Sequence, residues 1–134
     1  MSAIAEPTRV EWTYLDVMAS IIAEAPKLKF KASTSDWNRL WFDLAQSEDG
    51  RELLGDLHFE DREPYPPFSD EVEACIRLLS RAGVLSLGNP RYQYFTIEQE
   101  NKDAIKRGQE RLLAAHGDAI KRLAHTFSAR LASD

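Results

Sequence analysis

Apolar residues recur along the chain with two distinct periods. Val10, Tyr14, Met18, Ile21 and Ile22 share one face at helical spacing, which predicts a helix over residues 8–24 with Thr8 as its cap and Pro26 as its stop. Lys27-Leu28-Lys29-Phe30-Lys31 then alternates strictly, the pattern of a short strand with Leu28 and Phe30 inward and three lysines outward. Ser33-Thr34-Ser35-Asp36 supplies cap residues for a second helix, to about Gln46, striped by Trp37, Leu40, Trp41 and Leu44. The stretch 47–68 carries no clear period. Within it, Pro64, Pro66 and Pro67 lack the donors of a regular ladder, so Glu63 to Phe68 reads as extended and unpaired.

Regularity returns at Ser69, which caps a third helix opened by Asp70 and Glu71 at its positive end. Val72, Ile76 and Leu79 form the inward stripe, with Cys75 and Leu78 beside it. Asp70, Ala74, Arg77 and Arg81 take the opposite face. Gly83 ends this helix. Val84 to Leu87, the turn Gly88-Asn89-Pro90-Arg91 and Tyr92 to Ile97 then read as a β-hairpin. From Glu98 to about Leu131 the pattern is helical, weakened at Gly108 and Gly117. Asp103-Ala104-Ile105-Lys106-Arg107 recurs as Asp118-Ala119-Ile120-Lys121-Arg122, compatible with one long helix or with two broken near His116-Gly117-Asp118.

The fold class that follows is α+β and mostly helical, with one β-hairpin and a long C-terminal helical extension. The helix from Ser69 to Ala82, the strand at Val84-Leu85, the turn Gly88 to Arg91 and the strand Tyr92 to Ile97 resemble the recognition helix and wing of winged helix-turn-helix regulators of the PadR and MarR kinds. The helix, short strand and helix that precede them fit the same layout. The resemblance implies a winged-helix-like unit over 1–97 and an extension over 98–134 that serves dimerisation. It also implies a helix entering the major groove and a wing touching the backbone or minor groove. Carried over by position, Arg77 and Arg81 face the groove and Arg91 sits at the wing tip, with Lys106 and Arg107 extending the basic stripe.

Charge changes the picture. The net charge is -5. Residues 1–60 carry six Lys/Arg against eleven Asp/Glu, whereas residues 101–134 carry seven against four. An acidic body argues against general nucleic-acid adhesion but leaves room for a local basic patch. Residues 47–68 also occupy the place of a short helix-turn-helix turn, and the candidate recognition helix opens with Asp70, Glu71 and Glu73. A winged-helix-like fold that binds protein, as a complex subunit or antitoxin-like partner, therefore stands beside a DNA-binding or transcription-regulatory accessory protein. Trp37, Trp41, Tyr65 and Phe68 are the partner-binding candidates, although two tryptophans on one stripe also read as core anchors. Ile105, Leu112, Leu123, Phe127 and Leu131 are the candidates for a homodimer face.

Catalytic and metal chemistry finds little support. His58, His116 and His125 form no ligand motif, and on one straight helix the last two would stand ~13.5 Å apart. The single cysteine, Cys75, precludes an intrachain disulfide and reads as a buried, inert thiol. Asp56, Glu60, Asp61 and Glu63 read as a solvated acidic loop rather than as paired catalytic carboxylates, and no phosphate-cradling glycine loop is present. No enzyme, cofactor or metal is expected. With no spanning segment and no visible secretory signal, a cytoplasmic protein without membrane association is expected.

Overall fold

A computed structural model describes residues 12–87 and 93–132. Six helices and two small antiparallel sheets are found among them. In chain order the elements are α1 (Tyr14–Glu24), β1 (Lys29–Lys31), α2 (Thr34–Gln46), α3 (Glu48–Leu54), β2 (Glu60–Arg62), β3 (Tyr65–Phe68), α4 (Asp70–Arg81), β4 (Ser86–Leu87), β5 (Tyr94–Thr96), α5 (Gln99–Gly108) and α6 (Glu110–Leu131).

Short polar side chains set the helix starts. Thr13, not Thr8, caps α1: its hydroxyl accepts from Asp16 N–H while the Asp16 carboxylate accepts from Thr13 N–H, both at 3.1 Å. The first helix thus begins six residues later than the periodicity predicts, and Thr8 and Val10 lie outside the described residues. Ser33, Ser47 and Ser69 cap α2, α3 and α4, each hydroxyl accepting from the N–H three residues on. Ser47 serves two helices at once. Its hydroxyl donates to Leu44 C=O at 2.6 Å, ending α2, and accepts from Gly50 N–H at 3.0 Å, starting α3. Gly50 is required there, because a Cβ would meet the Leu44 carbonyl oxygen at 1.7 Å. At the end of α4, Gly83 takes a positive φ of 78°, open to glycine without strain.

The larger sheet runs β1-β5-β4, all antiparallel. Phe30 of β1 pairs with Phe95 of β5, so the chain's early strand closes on the second strand of the hairpin. Phe30 also bridges to Ala132, just beyond α6. Between β4 and β5, the turn at Gly88 to Arg91 lies outside the described residues. Leu28, expected inward, is exposed, because β1 starts only at Lys29.

One buried cluster unites the molecule, and aromatic rings form its centre. Phe127 lies 4.9 Å from Phe30, 5.4 Å from Trp37 and 5.6 Å from Trp41, centroid to centroid. Trp37 also meets Phe95 edge-on and donates its indole N–H to Lys31 C=O at 2.5 Å. Trp37 and Trp41 are fully buried, so they are core anchors and present no partner-binding face.

The C-terminal stretch is two helices. α5 ends at Gly108, α6 begins at Glu110, and α6 kinks at His116. Each irregularity adjoins one of the two glycines, where helix formation costs most. The expected dimer face is not a surface. Leu112, Leu123, Phe127 and Leu131 are buried within their own chain and Ile105 is half-buried, because α5 and α6 lay their apolar side on α1, with α2 and α3 completing the cover of α6. Nor is α6 a free basic helix: Arg122 forms a bidentate pair with Asp49 of α3, both bonds at 2.9 Å, and Arg130 meets Asp43 of α2 at 2.7 Å.

The prolines of 63–68 do not prevent pairing. β3 pairs with β2 as a two-stranded ribbon, with Glu60 opposite Phe68, Arg62 opposite Tyr65 and a register shift between. A strand with a single neighbour can lose donors at Pro66 and Pro67 and still pair through its flanking residues.

Candidate interaction surface

Two parts of the structure could carry function: the ribbon β2–β3 on α2, and the outer face of α4. A polar junction holds both. Asn38 of α2 is buried, donates to Thr34 C=O at 3.0 Å and to Glu73 Oε2 at 3.3 Å, and accepts from Ser69 N–H at 2.8 Å. The Glu71 carboxylate accepts from His58 N–H at 3.0 Å and from the Ser69 hydroxyl at 3.0 Å, and His58 Nδ1 lies 3.2 Å away. Partial burial alone would raise the pKa of Glu71. The hydrogen bonds from His58 and Ser69 outweigh it and hold the carboxyl below its usual range. Of the acids that open α4, Glu73 thus ties the helix to Asn38 of α2, and Glu71 ties it to His58 in the segment before the ribbon. Ser69, Glu71 and His58 do not form a nucleophilic relay, because the serine hydroxyl meets the carboxylate and not the imidazole.

The ribbon opens two clefts. One, of about 190 Å³, is lined by Thr34, Ser35 and Asn38 of α2 with Arg62, Tyr65, Pro66, Pro67 and Phe68. The other, of about 360 Å³, runs between Arg39 and Phe42 of α2 and Phe59, Glu60, Asp61, Glu63, Tyr65 and Pro67. Tyr65 and Pro67 line both and so form the ridge between them. Tyr65 is 71% exposed, the most exposed large apolar side chain among the described residues. Phe59 and Phe42 meet edge-on at 5.3 Å in the larger cleft. Phe68 is half-buried under the Arg62 guanidinium, 4.1 Å from its ring, and that guanidinium also bonds Glu60 at 3.1 Å.

Of the four partner-binding candidates, Tyr65 and Phe68 therefore lie at this surface. Arg39, Phe42 and Phe59 join them unforeseen. Phe42 had one available signal: it is an aromatic residue off the Trp37–Leu44 stripe of its helix.

The DNA candidates are more scattered. Arg77 and Arg81 are exposed on α4, with no ion-pair partner among the described residues. Arg91 lies outside the described residues. Lys106 and Arg107 belong to α5, which packs on α1, and Lys106 stands 3.9 Å from Glu24.

Two buried reactive groups belong to the framework. Cys75 is fully buried, and burial pushes its thiol up to about 12, the inert state the sequence suggests. Lys102 was not foreseen. It is buried, donates to Ala25 C=O at 2.5 Å and to Lys27 C=O, and stands over the Phe30 ring. Burial, with Lys106 nearby and against the pull of Glu24, brings its pKa down to about 8. It satisfies two carbonyls of the segment between α1 and β1, where the chain has left the helix and no further helical N–H follows. Among the described residues no group of three or more His, Cys, Asp or Glu is placed to hold a metal ion, and no helix is long and apolar enough to cross a membrane.

No protein-family model, no curated protein and no solved structure matches this chain.

Proposed function

We propose that this chain is a non-enzymatic protein-interaction module on a winged-helix-like frame, with the ribbon β2–β3 and α2 as its docking surface. The observation that carries the reading is Tyr65, a large aromatic held open to solvent between two clefts, on a ribbon whose last strand runs into Ser69, where a buried N–H bonds Asn38 of α2. Tyrosine is one of the residues enriched among the energetic anchors of protein interfaces. The frame itself is supported by the order α1, β1, α2, α4, β4, β5 and by the sheet β1-β5-β4, in which the early strand joins a hairpin that follows a helix. α3 and the ribbon fill the place where a DNA-reading member of that class keeps a short turn.

The test is selection of a displayed random-peptide library on the full chain, with the Tyr65→Ala variant as counter-selection. Peptides that bind the wild type and lose at least about tenfold on the variant are expected. Failure to enrich any peptide, or enrichment indifferent to Tyr65, rejects the docking surface.

A second reading, DNA binding through α4, is favoured by one observation: Arg77 and Arg81 are exposed, four residues apart on one helix face and unpaired among the described residues. Phosphate contacts make such binding fall steeply with salt. Titration of mixed duplex fragments at low and moderate salt, with an Arg77→Ala/Arg81→Ala control, decides it. No binding at low salt, or binding that ignores the double substitution, rejects DNA binding through α4.

A further inference from the structure

We propose that the ribbon surface takes an extended, proline-containing segment of a partner protein that carries an arginine or lysine beside the proline, an assignment that rests on the interaction-module reading above. Three observations lead to it. The first concerns the backbone. Pro66 and Pro67 are consecutive, so one of the two N–H donors they remove belongs to the edge of β3 that β2 leaves unpaired, and that edge cannot template a regular added strand. A partner at β3 must be held by side chains entering clefts, the mode open to a polyproline-type segment whose backbone needs no ladder.

The second is the shape of the surface. Tyr65 and Pro67 stand as a ridge with a cleft on either side, and Phe42 and Phe59 wall the larger one. Aromatic-lined paired grooves suit proline rings, which present a rigid apolar face at little entropic cost. The third is charge. The larger cleft is rimmed by Glu60, Asp61 and Glu63 together with Arg39; Arg62 pairs with Glu60, which leaves Asp61 and Glu63 as the acids open to a cation. Asp61 spends one oxygen on Glu63 N–H, at 3.1 Å, and Glu63 has no cationic partner among the described residues. A cation beside the proline would find its complement there.

Fluorescence polarisation with a labelled peptide of alternating alanine and proline, closed by two arginines, tests the assignment on the full chain. A companion peptide carries glutamates in place of the arginines. The arginine peptide is expected to bind, and to bind at least about tenfold more tightly than its companion. Tyr65→Ala and Glu63→Lys should each weaken it at least about tenfold. Both positions are exposed, so the variants should fold. Equal affinity for the two peptides, no binding of either, or indifference to Tyr65→Ala overturns the proposal. Library peptides that depend on Tyr65 yet lack proline or basic residues would overturn this chemistry while the interaction-module reading stands. Self-association of the chain abolished by Tyr65→Ala would give the surface to a second copy and overturn it as well.

Discussion

Helix α6 and the ribbon β2–β3 both hold large apolar side chains among charged ones, yet they use them in opposite ways. On α6 the residues that look like a dimer face, Leu112, Leu123, Phe127 and Leu131, are consumed by the chain's own α1, α2 and α3. On the ribbon, Tyr65 remains open and Phe68 only half-covered, even though the strand that carries both runs into Ser69, which bonds Asn38 of α2 and caps α4. An apolar residue at a regular helical spacing can be covered by any helix that lies along it. One on a two-stranded ribbon has a second face that its own fold cannot reach. Where the fold leaves such a residue uncovered, it is available to another molecule, which is the premise of the docking surface proposed above.

The largest expected effect tests the first half of that contrast. Phe127→Ala removes the ring that joins Phe30, Trp37 and Trp41, and should cost about 3–5 kcal/mol in a urea titration. Because the cavity lies within one chain, the midpoint shift should not depend on protein concentration. A concentration-dependent midpoint would show that an intermolecular contact shares the burial of α6.

Lys102 gives the next effect, through pH. Its pKa is about 8 in the folded chain and 10.5 as the ordinary value. Between those limits the unfolded chain binds the extra proton, so stability rises with pH across that window. Relative to Lys102→Met, the wild type should gain on the order of 2 kcal/mol between pH 7 and pH 10. A stability difference that stays flat over this range would mean that the buried ammonium is not destabilised by its site.

These two residues also show what a sequence can and cannot tell. Helices α2 and α4 and strands of the larger sheet were legible because local chemistry fixes them: Ser33 and Ser69 cap, the Trp37 to Leu44 stripe faces one way, and Phe30 alternates inward between Lys29 and Lys31. What packs on what was not legible. The cover of Phe127 comes from residues about 90 or more positions away in sequence, and no period in residues 98–131 announces it. Lys102 reads as a surface lysine until the carbonyls of Ala25 and Lys27 are seen to need a donor. The ribbon was missed for a third reason. Proline removes a donor, but it does not stop neighbouring residues from pairing. At the surface, Tyr65 and Phe68 were legible as aromatics among prolines, whereas Phe42 and Phe59 became part of the site only when α2 and the ribbon met.

The smallest expected effect on stability bears most directly on function. Tyr65→Ala deletes an aromatic ring that is 71% exposed and makes no hydrogen bond with the described residues. Little apolar area is lost from the folded state, so the substitution should move stability by no more than about 0.5 kcal/mol, against several for Phe127→Ala. The measurement is the same urea titration, run on both variants and the wild type. A near-neutral result means that the fold does not depend on the ring, which leaves it free for the partner proposed above. If Tyr65→Ala instead destabilised the chain by as much as Phe127→Ala does, Tyr65 would be part of the core, and the contrast between ribbon and helix would collapse.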